Sequence, residues 1–595
     1  MRLRDGRFEM DAVEGDRGRT MKNIFHRLLA VCCLAAPGAA FAHTPHVCPS
    51  GTNDVPAMLT GNHIAQSDAV AGLYDSEQLF ALGGGLAESR FNKCDGQGRP
   101  GTTAGGDSGL GHKRTADTAD NPDTIMSGTP NNTRISGPEA SSCTGCHAQP
   151  GGGGGGDFAT NTFNGAEEQD PITMTVDPNT SNERGTRSVI GEGYIELISR
   201  EMTSDLQNFK KSNKTFTGCK NASTHGVSFN VCFTNGTVTS AKGIDTDLIV
   251  KPFGSVGTAV SIREFTVNAA NRHTGMQAEE AYDDYLGDPD YDGDGITTEL
   301  TIGDITVMSM WQAELPMPYV VEPTDTTAQQ QAATGQTEFN AVGCGSCHIP
   351  AVTIRNRTYC EPNAYNKPQY FSDTTQSVCL ILNYYPNESD KTDTGDPNQP
   401  PANTPLALPV YTDLKRHHMC DDPATVASPI RTLCNEKLAQ GRPDQDGYPG
   451  YEFFVTPALW GAGETGPYGH SAHFNSLSSI ILAHAGEARA ARDAFAALTS
   501  AQQVDVVMFL QTFQIPVQNL RIDPQEACGK FSTCSGSGSG SSSGGLSAVP
   551  ITSGSGARAR SAGGVSTSTS TSGAAQTRQG LKTTQPGLQQ RSVQQ

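Results

Sequence analysis

Cys344-Gly345-Ser346-Cys347-His348, and its earlier counterpart Cys143-Thr144-Gly145-Cys146-His147, decide how the rest of this chain is read. Cys-x-x-Cys-His is the attachment pattern of c-type haem. Two thiols bond to the porphyrin edge, and the adjacent histidine, held on the same short turn, coordinates the iron from one side. The two residues between the cysteines match the distance between the reactive groups of the macrocycle. A zinc site would need a second ligand pair close by, and neither motif has one. A redox dithiol is the other reading of Cys-x-x-Cys, and it does not explain a histidine closing both motifs. Cys143, Cys146 and His147 are therefore expected to hold one covalent haem, and Cys344, Cys347 and His348 a second.

Such haem is attached outside the cytosol, and the start of the chain agrees. Met21-Lys22-Asn23 opens a basic segment containing Arg27, Leu28 to Ala36 is apolar, and Ala40-Phe41-Ala42 is a small-x-small cleavage site. Residues 21–42 read as a signal peptide, with the mature chain starting at His43; the charged residues 1–20 read as a mis-called start. The apolar stretch is too short for a permanent membrane anchor, so the expected location is periplasmic or secreted. There are 16 cysteines. Cys32 and Cys33 fall in the signal segment and four belong to the haem motifs. The other ten form neighbouring pairs: Cys48/Cys94, Cys219/Cys232, Cys360/Cys379, Cys420/Cys434 and Cys528/Cys534. Sequential disulfides are the simplest of many connectivities for an exported chain. The formal net charge of −20 excludes a nucleic-acid partner, which calls for a basic face. It suits either electrostatic steering of a basic redox protein or a solvated acidic surface.

At 595 residues the chain is long enough for two or three domains. Residues 43–320 carry the first motif and a calcium-type loop. Residues 321–528 read as a cytochrome c domain, and 529–595, Ser/Gly-rich with few large apolar residues, as a disordered tail. The six glycines Gly151–Gly156 suggest a flexible loop, although glycine also lets backbone approach a haem edge. Gly193 to Met202 has helical apolar spacing. Val227, Phe229, Val231 and Phe233 alternate as in a β-hairpin, closed by Cys219 and Cys232. Gly335-Gln336-Thr337-Glu338-Phe339 precedes the second motif as a first helix would. Thr499 or Ser500, with Gln502 or Gln503 three residues on, caps a last helix through Val504, Val507, Met508 and Phe513 that should pack against it. The fold class expected is mainly α: two cytochrome c-like haem domains with long irregular loops, some β-hairpin insertion and the tail.

Further stretches carry a family likeness: Gly343 to Pro350; Tyr411-Thr412-Asp413-Leu414-Lys415-Arg416-His417-His418-Met419; Thr456-Pro457-Ala458-Leu459-Trp460-Gly461; Thr465-Gly466-Pro467-Tyr468-Gly469-His470; and Ser476-Leu477 on to His484-Ala485-Gly486-Glu487-Ala488. Together they resemble the di-haem cytochrome c peroxidase superfamily, most of all its bacterial branch of di-haem oxidoreductases. The resemblance is specific over about 325–515, weaker over 130–320 and absent from the tail. It implies two c-type haems, a small redox protein as electron donor or acceptor, and a small oxidant such as peroxide. The chain departs from the pattern at His470-Ser471-Ala472, where relatives have His-Asp-Gly, and at His417-His418-Met419-Cys420, where they have His-Asp-Met-Gly. The distal Gln and Glu pair of the peroxide-reducing members has no counterpart.

For the second iron the sixth ligand expected is His484, which shares a helix face with Leu477, Ile480 and Ile481 and falls where superfamily members place a ligand. Bis-histidine ligation leaves no open position, so the second haem reads as an electron relay, with His417 supporting its pocket and His470 and His473 as lesser ligand candidates. The first haem would then carry the chemistry. His273, Met276 and Glu201 are its distal candidates, with His273 and Glu201 as acid–base groups for O–O cleavage; a surface histidine, a core methionine and a solvated glutamate are the competing readings. Asp288-Pro289-Asp290-Tyr291-Asp292-Gly293-Asp294 with Glu299 fits a calcium loop, either in that register or with Asp290, Asp292 and Asp294 before Gly295; a solvated acidic turn is the alternative. Trp311 and Trp460 are read as core residues or members of an interhaem path. Three functions follow: an exported di-haem oxidoreductase, a non-enzymatic di-haem electron carrier, and a dioxygen-using cleavage enzyme of the rubber-oxygenase kind.

Overall fold

The computed structural model describes residues 63–97, 140–156, 159–161, 183–290, 295–384, 399–421, 433 and 452–515. The expected mis-called start, signal peptide and tail lie outside these residues. So do Cys48, Cys434, Cys528, Cys534, Asp292 and Asp294.

The helices in the described residues are α1 (Gln66–Val70), α2 (Ser76–Glu88), α3 (Glu192–Ser212), α4 (Ile262–Ala269), α5 (Glu279–Tyr282), α6 (Ile302–Glu314), α7 (Thr326–Ala341), α8 (Leu477–Ala483), α9 (Arg489–Ala496) and α10 (Ser500–Gln511). Their starts follow local chemistry. The side chains of Asp75, Thr301, Ser476 and Thr499 each accept from the amide three residues on, and their own amides donate to that residue's side chain, which satisfies amide donors that the first turn leaves open. The α10 cap is the one expected at Thr499.

Helix α6 is buried almost all round, from Gly303 to Ala313, as befits a central helix rather than a surface one. Helices α2, α3 and α4 pack on it. The contacts are close enough to demand glycine: a Cβ on Gly83 would lie 2.0 Å from the Val307 carbonyl oxygen, and one on Gly193 2.3 Å from that of Ala313. The same device joins α7 to α10, as expected. A Cβ on Gly335 would lie 1.8 Å from the Asp505 carbonyl oxygen, and Phe339 meets Phe509 edge-on at 5.4 Å.

Strands β1 (Gly218–Thr224), β2 (Val227–Thr234) and β3 (Thr237–Ala241) form an antiparallel meander. The hairpin was legible from alternation; the third strand extends it. Val227, Phe229, Val231 and Phe233 face inward and are buried, and Cys219 stands opposite Cys232 in register and is disulfide-bonded to it. Strands β4 (Thr358–Glu361) and β5 (Val378–Ile381) repeat the arrangement with Cys360 and Cys379. Cys94 and Cys420 are also disulfide-bonded.

The largest apolar core crosses residue 320. It joins Leu82, Ile198, Phe229 and Ile305 to Val352, Tyr359, Leu408 and Leu414. A second core, of Phe339, Tyr411, Phe495, Phe509 and Phe513, lies beneath α7 and α10. No helix among the described residues is long and apolar enough to cross a membrane.

Candidate haem sites

Each Cys-x-x-Cys-His motif folds as a single tight turn, Cys143–Gly145 and Cys344–Ser346, with the histidine amide bonded to the first cysteine's carbonyl at 3.0 Å in both. The cysteines divide sharply. Cys143, Cys146, Cys344 and Cys347 are free thiols, whereas every other described cysteine is in a disulfide. Burial pushes Cys143 up to about 12 and Cys344 up to about 11. Thiols held so firmly protonated are poor redox dithiols.

The second motif has the clearer ligand geometry. His348 Nδ1 lies 2.9 Å from the Tyr411 carbonyl oxygen. A carbonyl only accepts, so Nδ1 carries the proton. Burial, joined by the charges of His484 and His417, lowers His348 to about 4, so the ring is neutral. Nε2 is then a bare lone pair, the donor that an iron takes. His484 repeats the pattern: its Nδ1 lies 2.8 Å from the Ile480 carbonyl oxygen, and burial lowers it as well. The structure thus places His484 beside His348 as a second neutral imidazole. The helix face drawn from sequence needs one correction. Helix α8 stops at Ala483, and His484 is its extended C-cap, half-buried beside Ile480 and Ile481.

His417 behaves differently. Its Nε2 lies 2.9 Å from an Asp413 carboxylate oxygen and its Nδ1 2.9 Å from one of Glu487. Burial opposes its charge, but hydrogen bonds to Asp413, Cys347 and Glu487 outweigh that and raise it to about 11. Glu487 falls to about 2, the bond to His417 overcoming its own desolvation. An imidazolium with both nitrogens protonated has no lone pair for iron, which agrees with a supporting role. His470 stacks on Phe454 at 3.7 Å, and its charge helps lower His484. Trp460 donates to the Pro409 carbonyl at 2.8 Å, and Trp311 is buried in a small core with Cys143 against it.

Around the first motif the six glycines are packed, not a loose loop. Gly153 donates to the His147 carbonyl at 3.0 Å and Gly156 to that of Thr186 at 3.1 Å; a Cβ on Gly154 would lie 2.0 Å from the Gln149 carbonyl oxygen. His147 Nδ1 faces the Gly154 carbonyl at a looser 3.3 Å. Burial, with His273 beside it, lowers His147 to about 4. The structure therefore brings His273 near His147, on the π-type turn Ala270–Thr274, whose carbonyl at His273 accepts from Ala140 just ahead of the motif. Met276 is a fully buried core residue.

Glu201 is not brought to this motif. Its oxygens accept from the Arg355 amide at 2.9 Å, the Arg355 Nε at 2.9 Å and the Asn356 amide at 3.0 Å, with His225 Nε2 at 3.2 Å. It holds a turn. A buried carboxyl that the sequence did not single out stands near Arg187. Glu192, at the start of α3, is pushed up to about 8 by burial despite the nearby Arg187, and its Oε2 is buried without a hydrogen-bond partner. The Arg187 carbonyl in turn helps hold His147. Nothing in a lone Glu of a helical pattern announces this, since the signal is burial.

Among the calcium-loop candidates, Glu299 is buried and accepts from Gln277 through both N and Nε2, at 2.6 and 2.5 Å. Asp290 accepts from the Gly295 amide at 3.2 Å, and Asp288 is exposed. Two other groups of donors converge. Cys347, Asp413 and His417 lie within 4.8 Å of one another, as do His418, Cys420 and Glu452. Neither is a free metal centre: His417 is an imidazolium, and the Cys420 sulfur is in a disulfide.

No family model matches the sequence, and no curated protein matches it. Among solved structures, the Kuenenia stuttgartiensis hydrazine synthase pressurised with 20 bar xenon matches 78% of this chain and 98% of its own, at 11% identity and a TM-score of 0.31. A likeness that slight supports no conclusion about fold or chemistry.

Proposed function

We propose that this chain is an exported di-haem c-type oxidoreductase of the di-haem cytochrome c peroxidase type, built on two cytochrome c-like haem segments. Electrons from a small redox protein would enter at the C-terminal haem and reach peroxide or another oxidant at the N-terminal one. The observation that carries the reading is the division of the cysteines: the four motif thiols are free, while all other described cysteines are disulfide-bonded. A chain whose remaining cysteines are oxidised, as in an oxidising compartment, keeps those four for another bond, and each pair is followed by a neutral imidazole. The residues fit the group. Cys143, Cys146 and His147 would hold one haem, and Cys344, Cys347, His348 and His484 the other. When bound, the two haems supply one-electron redox chemistry. His348 and His484 each hold a proton on Nδ1 and offer Nε2, which favours a closed, six-coordinate second site. His273 would hold or move a proton beside His147; Glu192, protonated near neutrality, neighbours Arg187, whose carbonyl helps hold His147.

The second reading, a non-enzymatic electron carrier, is favoured by one observation: His273 is close enough to His147 for its charge to lower that ring, and it is the candidate to close the first site as well. The two separate on a single experiment. Protein matured in a host that attaches c-type haem is counted for thioether-linked haem by mass spectrometry and pyridine haemochrome, then titrated with cyanide and followed by absorption and EPR spectra. Two haems, one of them binding cyanide, support the oxidoreductase. Two haems that both refuse every added ligand leave the electron carrier, and fewer than two overturn both.

A further inference from the structure

The second motif is enclosed by two segments far apart in sequence, 411–418 and 484–487, and one side chain bridges both beside it. Tyr411 turns His348 by accepting from its Nδ1 at 2.9 Å, and Asp413 lies two residues further along the same loop. Glu487 lies three residues beyond His484, and it also accepts from the His418 amide at 3.2 Å. His417, on strand β6 (Arg416–His418), bonds Asp413 with one nitrogen and Glu487 with the other, both at 2.9 Å, and a ring nitrogen lies within 4.8 Å of the Cys347 sulfur. Strand β6 is itself anchored by pairing with β7 (Phe453–Val455). Carboxylates on both sides of one buried ring make charge-assisted bonds, which are short, directional and roughly twice as strong as neutral ones.

We propose that His417 is a positioning residue: its imidazolium, gripped between Asp413 and Glu487 against Cys347, ties the loop that orients His348 to the turn that carries His484, and so sets the axial geometry of the second haem. The proposal rests on the di-haem reading. His417 acts through the loop of Tyr411 and Asp413 and through Glu487. Metal-ligating histidines keep their orientation through just such outer partners, and losing one weakens ligation about 10–100-fold.

The test uses the haem-loaded full chain carrying His417→Gln, which keeps a polar side chain but cannot bridge two carboxylates as a cation. Wild-type protein should show a low-spin second haem. In His417→Gln, cyanide should displace the distal ligand of that haem at roughly tenfold lower concentration, and its low-spin EPR signal should broaden or shift, with the haem count still two. Glu487→Gln, which cuts one arm, should move both readouts the same way, and the double variant should add little to either single one. Should His417→Gln fail to load, Glu487→Gln decides by the same readouts. Unchanged cyanide displacement and an unchanged EPR signal in the loaded variants overturn the strut while leaving the di-haem reading intact. A wild-type chain that binds fewer than two haems overturns that reading instead.

Discussion

Replacing Glu192 by glutamine should change how stability depends on pH, and the size of the change follows from burial. Desolvation lifts this carboxyl from its ordinary 4.5 to about 8, with Arg187 offsetting part of the climb and the charge of Glu196 adding to it. The folded chain thus holds this proton more tightly than the unfolded chain does. Below about pH 4.5 both states keep it, and the residue imposes no penalty. As pH rises from there towards 8, the folded chain retains a proton that the unfolded chain has released, and stability falls by ~1.4 kcal/mol per pH unit. The loss levels off above 8, at a total of about 5 kcal/mol as an upper bound. Glutamine has nearly the same shape and never ionises, so Glu192→Gln should match wild type at about pH 4 and exceed it by a few kcal/mol at about pH 9. Urea unfolding of the haem-loaded chain at the two pH values, with matched slopes, measures it. A difference between wild type and variant that is the same at both pH values would refute the burial of a titrating carboxyl at Glu192.

His484→Ala should open the second iron, turning a ligand-refusing low-spin haem into one that binds cyanide; unchanged absorption and EPR spectra would remove His484 as a ligand. Gly335→Val should cost at least ~1–3 kcal/mol, because even a Cβ would fall 1.8 Å from the Asp505 carbonyl oxygen and backbone has nowhere to move; an unaltered thermal midpoint would contradict the α7–α10 contact. Glu201→Gln should cost no more than about 1 kcal/mol, since Arg355 is half exposed and exposed pairs contribute little, and it should leave peroxide turnover as it was. A large fall in turnover would return Glu201 to the acid–base role first read from the sequence.

What could be read in advance was whatever is written over a few adjacent residues. The two haem motifs need only one turn each, so their spacing carries the chemistry wherever the turn is placed. The Thr499–Gln502 cap and the alternation of Val227 to Phe233 are equally local, and the structure has both. Cys219 with Cys232 and Cys360 with Cys379 were legible because each pair closes a short hairpin across one register. Longer-range readings depended on how the chain folds back. His484 and His273 stand near the proximal histidines, but α8 ends a residue before His484, and Glu201 serves a turn at Arg355 and Asn356.

The sequence by itself determined the bonds this protein can make to a prosthetic group, because covalent attachment and short-range hydrogen bonding depend on order along the chain. Tertiary structure alone decided the protonation of what surrounds those bonds. Asp413 and Glu487 lie 70 residues and more apart, yet both grip His417 and make it a cation, while burial keeps His348 neutral and Glu192 protonated. Charge state depends on desolvation and on partners met across the fold, and neither is written in any short run of residues.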